Sequence, residues 1–202
     1  MKAKVTATAL FVLCLAALAV AGPQEKKEAS VHDQDAMMAA WLKAATPGAA
    51  HKALEPFVGT WEAKATFWAL PGADPVTSSG TAEAKWVLDG RFVEQRFSGS
   101  FQGMPFTGIG YTGYDNIKKQ YVGMWMDSMG TGVMISTGKA SGEKSFEFEA
   151  VYPDAMTGRD MLMKETVRII DSDRHVFEMW SPAPDGKGMF KSMEIVYTRR
   201  KP

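Results

Sequence analysis

Gly59-Thr60-Trp61 stands where a short helical stretch gives way to the first strand-like run, Trp61–Trp68. Everything after it reads as short alternating segments separated by turn residues. The candidates are Trp61–Trp68, Thr77–Leu88, Arg91–Phe101, Phe106–Tyr114, Gln120–Asp127, Thr131–Lys139, Ser145–Tyr152, Met161–Ile170, Arg174–Ser181 and Met189–Arg199. Their links are too short to hold a crossover helix, so neighbouring strands must run antiparallel. The fold class is all-β, an antiparallel up-and-down β-barrel of about ten strands that closes on itself, with Trp61 plugging its closed end.

Asp89-Gly90 is a two-residue hairpin signal that demands positive φ, while Ser141-Gly142-Glu143-Lys144 and Asp185-Gly186-Lys187-Gly188 suit longer turns. Alternation is cleanest at Ser145–Tyr152, where Phe146, Phe148, Ala150 and Tyr152 share one face and Ser145, Glu147 and Glu149 the other. The first set should point inward. Around Tyr121, Gly123, Trp125 and Asp127 both faces are apolar, which suggests that one lines the barrel and the other lies under an N-terminal helix.

At the N-terminus, Lys2 and Lys4 precede an apolar stretch from Ala7 to Val20 that ends in Ala19-Val20-Ala21. This pattern predicts a signal peptide over 1–21, cleaved after Ala21, and hence an exported, periplasmic or extracellular protein with no membrane span in the mature chain. The only cysteine, Cys14, falls in the removed part, so the mature fold must hold without disulfides or a cysteine zinc site. Polar residues over 22–29 read as a flexible linker. N-terminal helices follow over 30–56, and the barrel occupies 57–202. Ser30 serves as the first cap; Thr46 as N-cap and Pro47 at the first helical position start a second helix, which runs to about Leu54 before Pro56 ends it.

Hydrophobic residues make up 46% of the chain, enough for a core, and 23 basic residues face 23 acidic ones. That balance offers nothing to nucleic acid, and Arg199-Arg200-Lys201 reads as a solvated tail. A transmembrane barrel would also show a leader and alternating strands, but its long outer loops are missing.

The stretch from His51 through Gly59-Thr60-Trp61, with Gly113-Tyr114-Asp115-Asn116, Trp125-Met126-Asp127-Ser128 and Thr131, resembles the secreted bacterial proteins grouped as domain-of-unknown-function family 1579. The resemblance spans about residues 48–200. It implies a lipocalin-like, calycin-type barrel and no established activity. True lipocalins are similar only in Gly59-x-Trp61, and their disulfides have no counterpart here.

Gly108-Ile109-Gly110-Tyr111-Thr112-Gly113 matches G-x-G-x-x-G by letter, yet a turn and another strand follow where a dinucleotide site needs a helix. Gly108 and Gly110 instead clear space on a strand face for a large neighbour such as a Trp. Asp127-Ser128-Met129-Gly130 lacks the first glycine and the helix of a nucleophile elbow. Asp127 either accepts turn hydrogen bonds or fixes a ligand's polar end. His51 latches its helix, and no catalytic set is read. His175 could ligate haem iron, and Met124, Met126, Met161 and Met163 could hold Cu(I), although Met is also the ordinary filler of irregular pockets. Glu94 and Glu178, if inward, need partners such as Arg96 or Arg168.

The expected function is binding of a small apolar or amphipathic ligand, with Trp61, Tyr111, Trp125, Asp127, Phe146, Phe148, His175 and Phe177 as binding residues. The alternatives are an envelope-associated module with a filled core, or an enzyme or haem- or copper-binding protein using the cavity. Cofactor identity and oligomeric state stay open.

Overall fold

The structure, a computed structural model, describes residues 31–201. The expected leader, the cleavage site after Ala21, the linker over 22–29 and the Ser30 cap lie outside the described residues. Two units are distinguished, one ending at Ala39 and one running from Ala40 to Pro202. Helix α1 is Val31–Ala45, and its first part is what is described of the first unit. In the second unit come helix α2 (Ala49–Lys52) and a 3₁₀ turn (Glu55–Phe57). Ten strands follow: β1 (Gly59–Phe67), β2 (Val76–Val87), β3 (Phe92–Phe101), β4 (Met104–Asp115), β5 (Gln120–Asp127), β6 (Met134–Gly142), β7 (Ser145–Pro153), β8 (Asp160–Asp171), β9 (Arg174–Pro182) and β10 (Met189–Arg199).

Each strand pairs antiparallel with its neighbour in sequence, and β1 pairs with β10 from Trp61↔Arg199 to Phe67↔Met193, closing the barrel. Closure removes the free edges that an open sheet would expose. Period-two alternation then decides which side chains enter the interior. On β1 Trp61, Ala63 and Ala65 are buried while Glu62 and Lys64 are exposed; on β7 Phe146, Phe148 and Ala150 are buried while Glu147 and Glu149 are exposed. The outer wall therefore carries charge, where a bilayer-spanning barrel would need an apolar belt.

Several local expectations are corrected. Thr46 does not cap α2: its hydroxyl donates to the Leu42 carbonyl at 2.7 Å, so it is spent on the end of α1. Gly48 takes the N-cap position, and its N–H donates to His51 Nδ1 at 3.1 Å. That helix ends at Lys52, and Pro56 sits within the 3₁₀ turn, near its start, where an N–H is not needed. Strand β6 begins at Met134 rather than Thr131, because the ladder with β5 begins at Trp125↔Met134 and the residues before it form the loop. Nor does α1 cover a barrel face with its later residues, since Trp41 and Leu42 remain 64% and 51% exposed. The outer-face Val122, Met124 and Met126 are half-buried by the strands beside them.

Asp89 and Gly90 have the expected positive φ, +54° and +80°, but the connection is longer than the two residues expected: pairing stops at Val87↔Phe92, and Leu88 is also left-handed at +51°. A branched residue pays a steric penalty there, and Leu88 is exposed with no compensating burial. Leu88→Asn is expected to raise stability by about 1 kcal/mol; urea denaturation checks it, and an unchanged or lowered midpoint refutes it.

Candidate functional site

The loops between β2 and β3, β4 and β5, β6 and β7, and β8 and β9 gather at one end of the barrel, together with the segment preceding β1. This end is sealed. Leu54 and Phe57 rise into it and pack with Val93, Tyr121, Phe146 and Phe148. Polar ties hold the seal: Trp61 Nε1 donates to the Phe57 carbonyl at 2.9 Å, the Tyr121 hydroxyl to Ala50 at 3.1 Å, and Trp86 Nε1 to Glu55 Oε2 at 2.7 Å. His51 is buried with its ring edge-on to Tyr114 at 5.8 Å, which fits the latch read from its position.

Arg199 completes the seal. Its Nη1 donates to Val58 at 2.8 Å, Nη2 to Pro56 at 3.0 Å and Nε to Ser172 at 2.9 Å, all backbone carbonyls. The guanidinium lies 4.0 Å over the Trp61 ring. Gly59, at φ +136°, must lack a side chain because a Cβ would run into this guanidinium. The Gly-x-Trp pattern thus has a cause: glycine admits the cation that covers the tryptophan. Reading Arg199 as part of a solvated tail was wrong, since strand closure carries it inward.

Above the seal the interior is not filled. A cavity of about 490 Å³ runs toward the opposite end, where Phe67, Phe101, Met129 and Met134 line it and Met129 is half exposed. Glycines seat the aromatic rings of its wall, for a Cβ on Gly108 or Gly110 would fall against the Trp125 ring and one on Gly138 against Phe148. The glycine row read as clearance for a tryptophan is therefore that.

Of the residues expected to bind, Trp125, Asp127, Phe146, Phe148, His175 and Phe177 line this cavity. Trp61 does not. It is 1% exposed and lies within the seal, beneath Arg199 and edge-on to His175 at 4.4 Å. Tyr111 borders the cavity by its place on β4, but it alternates with the inward Gly110, and its hydroxyl donates to Glu94 Oε2 at 2.8 Å. Glu94 also accepts from Arg96 Nε at 2.7 Å; these two bonds hold its carboxyl below the usual range. Glu178 is met by Lys191 at 3.2 Å and Arg168 at 3.7 Å. Asp127 accepts the turn hydrogen bond that was expected of it, Oδ1 from the Met129 N–H at 2.9 Å, and Oδ2 also accepts from Trp125 Nε1 at 2.9 Å. The methionine pairs divide between opposite faces of the wall, with Met163 inside the cavity and Met126 on the outward row.

Among the described residues, two buried side-chain polar atoms have no hydrogen-bond partner: Glu165 Oε1 and His175 Nδ1. Burial raises the Glu165 carboxyl to about 7, against a smaller opposing effect from a hydrogen bond with Ser136. Burial lowers His175 to about 3, with Arg199 adding repulsion, so the imidazole is neutral. Tyr197 stacks on it at 4.5 Å, and burial pushes that phenol upward against a hydrogen bond with Gln95. Glu165 escapes a reading of single motifs. Its signal is the row Met161, Met163, Glu165, Val167, which places one carboxyl in an otherwise apolar alternate set. Gln95, Ser136 and Tyr197 carry no comparable signal.

Among the described residues, no group of three or more His, Cys, Asp and Glu is placed to hold a metal ion, and no helix is long and apolar enough to cross a membrane. Residues 46–199 match the family described as "Protein of unknown function (DUF1579)". No curated protein matches the chain. The crystal structure of Rv2717c from M. tuberculosis is similar, with 19% identity and a TM-score of 0.55 over 77% of this chain and 100% of that one. A redesigned beta barrel is 14% identical over 75% of this chain and 96% of its own, with a TM-score of 0.40. At such identities the likeness to Rv2717c shows the fold alone.

Proposed function

Because this chain belongs to the DUF1579 family, which carries no assigned activity, we propose from the cavity itself that the barrel binds a small apolar or amphipathic molecule. The observation that carries this reading is an unfilled, aromatic-walled interior that contains a buried carboxyl oxygen with no partner. A filled barrel would gain dispersion contacts over the same volume. A polar atom left unsatisfied in such a place costs about 1–3 kcal/mol, and a ligand that bonds to it recovers part of that.

The closed end keeps water out from below, so a ligand enters between the loops at the other end. Trp125 is positioned for contact: its ring lies on Gly108 and Gly110, and its indole N–H is held by Asp127. The mouth methionines Met129, Met134, Met179 and Met193 suit ligands of varied shape, since thioether chains adjust at low energetic cost.

Nile red, a neutral dye that brightens in apolar surroundings, is expected to bind with micromolar affinity and to quench tryptophan emission by energy transfer. Ser78→Trp, which places an indole near the mouth, should weaken binding at least tenfold while leaving the unfolding midpoint close to that of the wild type. Dye binding that ignores this substitution, or no binding at all, would refute the reading.

A further inference from the structure

We propose that the cavity selects lipophilic cations, a protonated amine on an apolar body, seated with the charge against Glu165. The inference rests on the ligand-binding reading above and names the ligand's chemistry.

Charge distribution comes first. Asp127 and Glu165 are the only formally charged side chains among the described residues that line the cavity, and both are acidic. Neither Lys nor Arg lines the cavity among the described residues. Arg199, whose charge is felt by His175 in the seal, spends its guanidinium on three carbonyls and the Trp61 face. A fatty-acid anion would therefore set a second carboxylate into an apolar interior beside Glu165 with no cation between them, and like charges in low dielectric repel strongly.

The surroundings of Glu165 add a second argument. Across the strands it pairs with Phe148 on β7 and Met179 on β9, neither of which offers charge or a hydrogen bond to it. Ser136 supplies one hydrogen bond, and Oε1 is left bare. A carboxylate so placed lacks a donor. An ammonium supplies both the donor and the missing countercharge, and Phe148, paired across the strands with Glu165, is an aromatic neighbour of the kind that attracts cations. Asp127 competes weakly for such a cation, because Trp125 and Met129 already bond to both of its oxygens.

The other titratable groups among the described lining residues are His175 and Tyr197 on the seal, with Tyr111 and Tyr152. Burial keeps His175 neutral and pushes the Tyr197 phenol up, and the hydrogen bond to Glu94 raises Tyr111, so none of these three supplies a rival charge across ordinary pH. Amine affinity should consequently increase as Glu165 ionises between pH 6 and pH 8, while an aliphatic amine stays protonated.

Displacement of Nile red by decylamine, decanol and decanoate at pH 8, confirmed by direct calorimetry of decylamine, tests the idea. Decylamine is expected to bind at least tenfold more tightly than decanol, and decanoate more weakly than either. Glu165→Gln should bring decylamine to the affinity that decanol has for the same variant, removing the amine preference; Asp127→Asn should keep most of the preference. Dye binding without amine preference, or a preference that survives Glu165→Gln, overturns the charge selection alone. If neither dye nor amine binds, the ligand-binding reading falls, and this inference with it.

Discussion

At pH 8 the Glu165→Gln protein is expected to exceed the wild type in stability by about 3 kcal/mol, with less than about 0.5 kcal/mol between them at pH 4. The folded carboxyl titrates at about 7 against 4.5 for the free group. Below pH 4.5 it is protonated in both states, and burial of a neutral group is tolerated. As the pH rises toward 7 the unfolded chain releases the proton and the folded chain keeps it, so stability falls by about 1.4 kcal/mol per pH unit. Above 7 the loss is complete. Glutamine has nearly the same shape and no proton to lose, so it escapes this penalty.

His175 acts in the opposite direction. Its folded value is about 3 against 6.5 for the free imidazole, so its contribution is whole above pH 6.5 and is lost as the pH falls toward 3. Between pH 4.5 and 6.5 these two slopes offset one another, which leaves wild-type stability only the shallow rise with pH that His51, also lowered by burial, adds. Four residues of strand separate the two groups along β8 and β9, roughly 13 Å, so they titrate independently. Glu165→Gln should therefore unmask a stability that climbs with pH up to about 6.5. Urea denaturation at half-unit pH steps measures this, and a flat profile in the variant would sink the assignment of the buried carboxyl.

Arg199→Ala is expected to cost about 3 kcal/mol, the sum of lost charge-assisted hydrogen bonds and the cation–π contact with Trp61, less what water restores. The residue joins the end of β10 to the chain before β1 and to the β8–β9 turn through bonds to Val58, Pro56 and Ser172, so its removal loosens the seam that closes the barrel. Arg199→Lys keeps the charge but not the planar fork, and should recover less than half of the loss. Arg200→Ala is the control, because the Arg200 side chain forms a 3.7 Å ion pair with Glu62 between exposed groups, its backbone bond to Thr60 survives the change, and the variant should stay within about 0.5 kcal/mol of wild type. Equal losses at both positions would refute the clamp.

Strands and turns were legible because their causes are local. The alternation of Phe146, Phe148 and Ala150 with glutamates can bury only one face, and Asp89-Gly90 supplies the positive φ that a tight hairpin demands. The role of Gly108 and Gly110 was legible for the same reason: two glycines on one strand face leave room, and Trp125 on the next strand was the large neighbour available to fill it. The site was legible in its walls and not in its chemistry. Glu94 and Glu178 drew attention as carboxylates within strands, yet both lie on the outer wall with arginine or lysine partners, while Glu165 is the one inside.

What the chain order determined without help is a meander of antiparallel hairpins with a tryptophan at its base, since hydrogen-bonding period, turn chemistry and short links act between near neighbours. What only the closed barrel decided is which groups lose water. Arg199 and Trp61 meet across a separation that spans the whole domain, and one oxygen of Glu165 is left bare because Phe148 and Met179, distant in sequence, stand beside it. Desolvation is a property of everything that surrounds a group, and no window of sequence contains that.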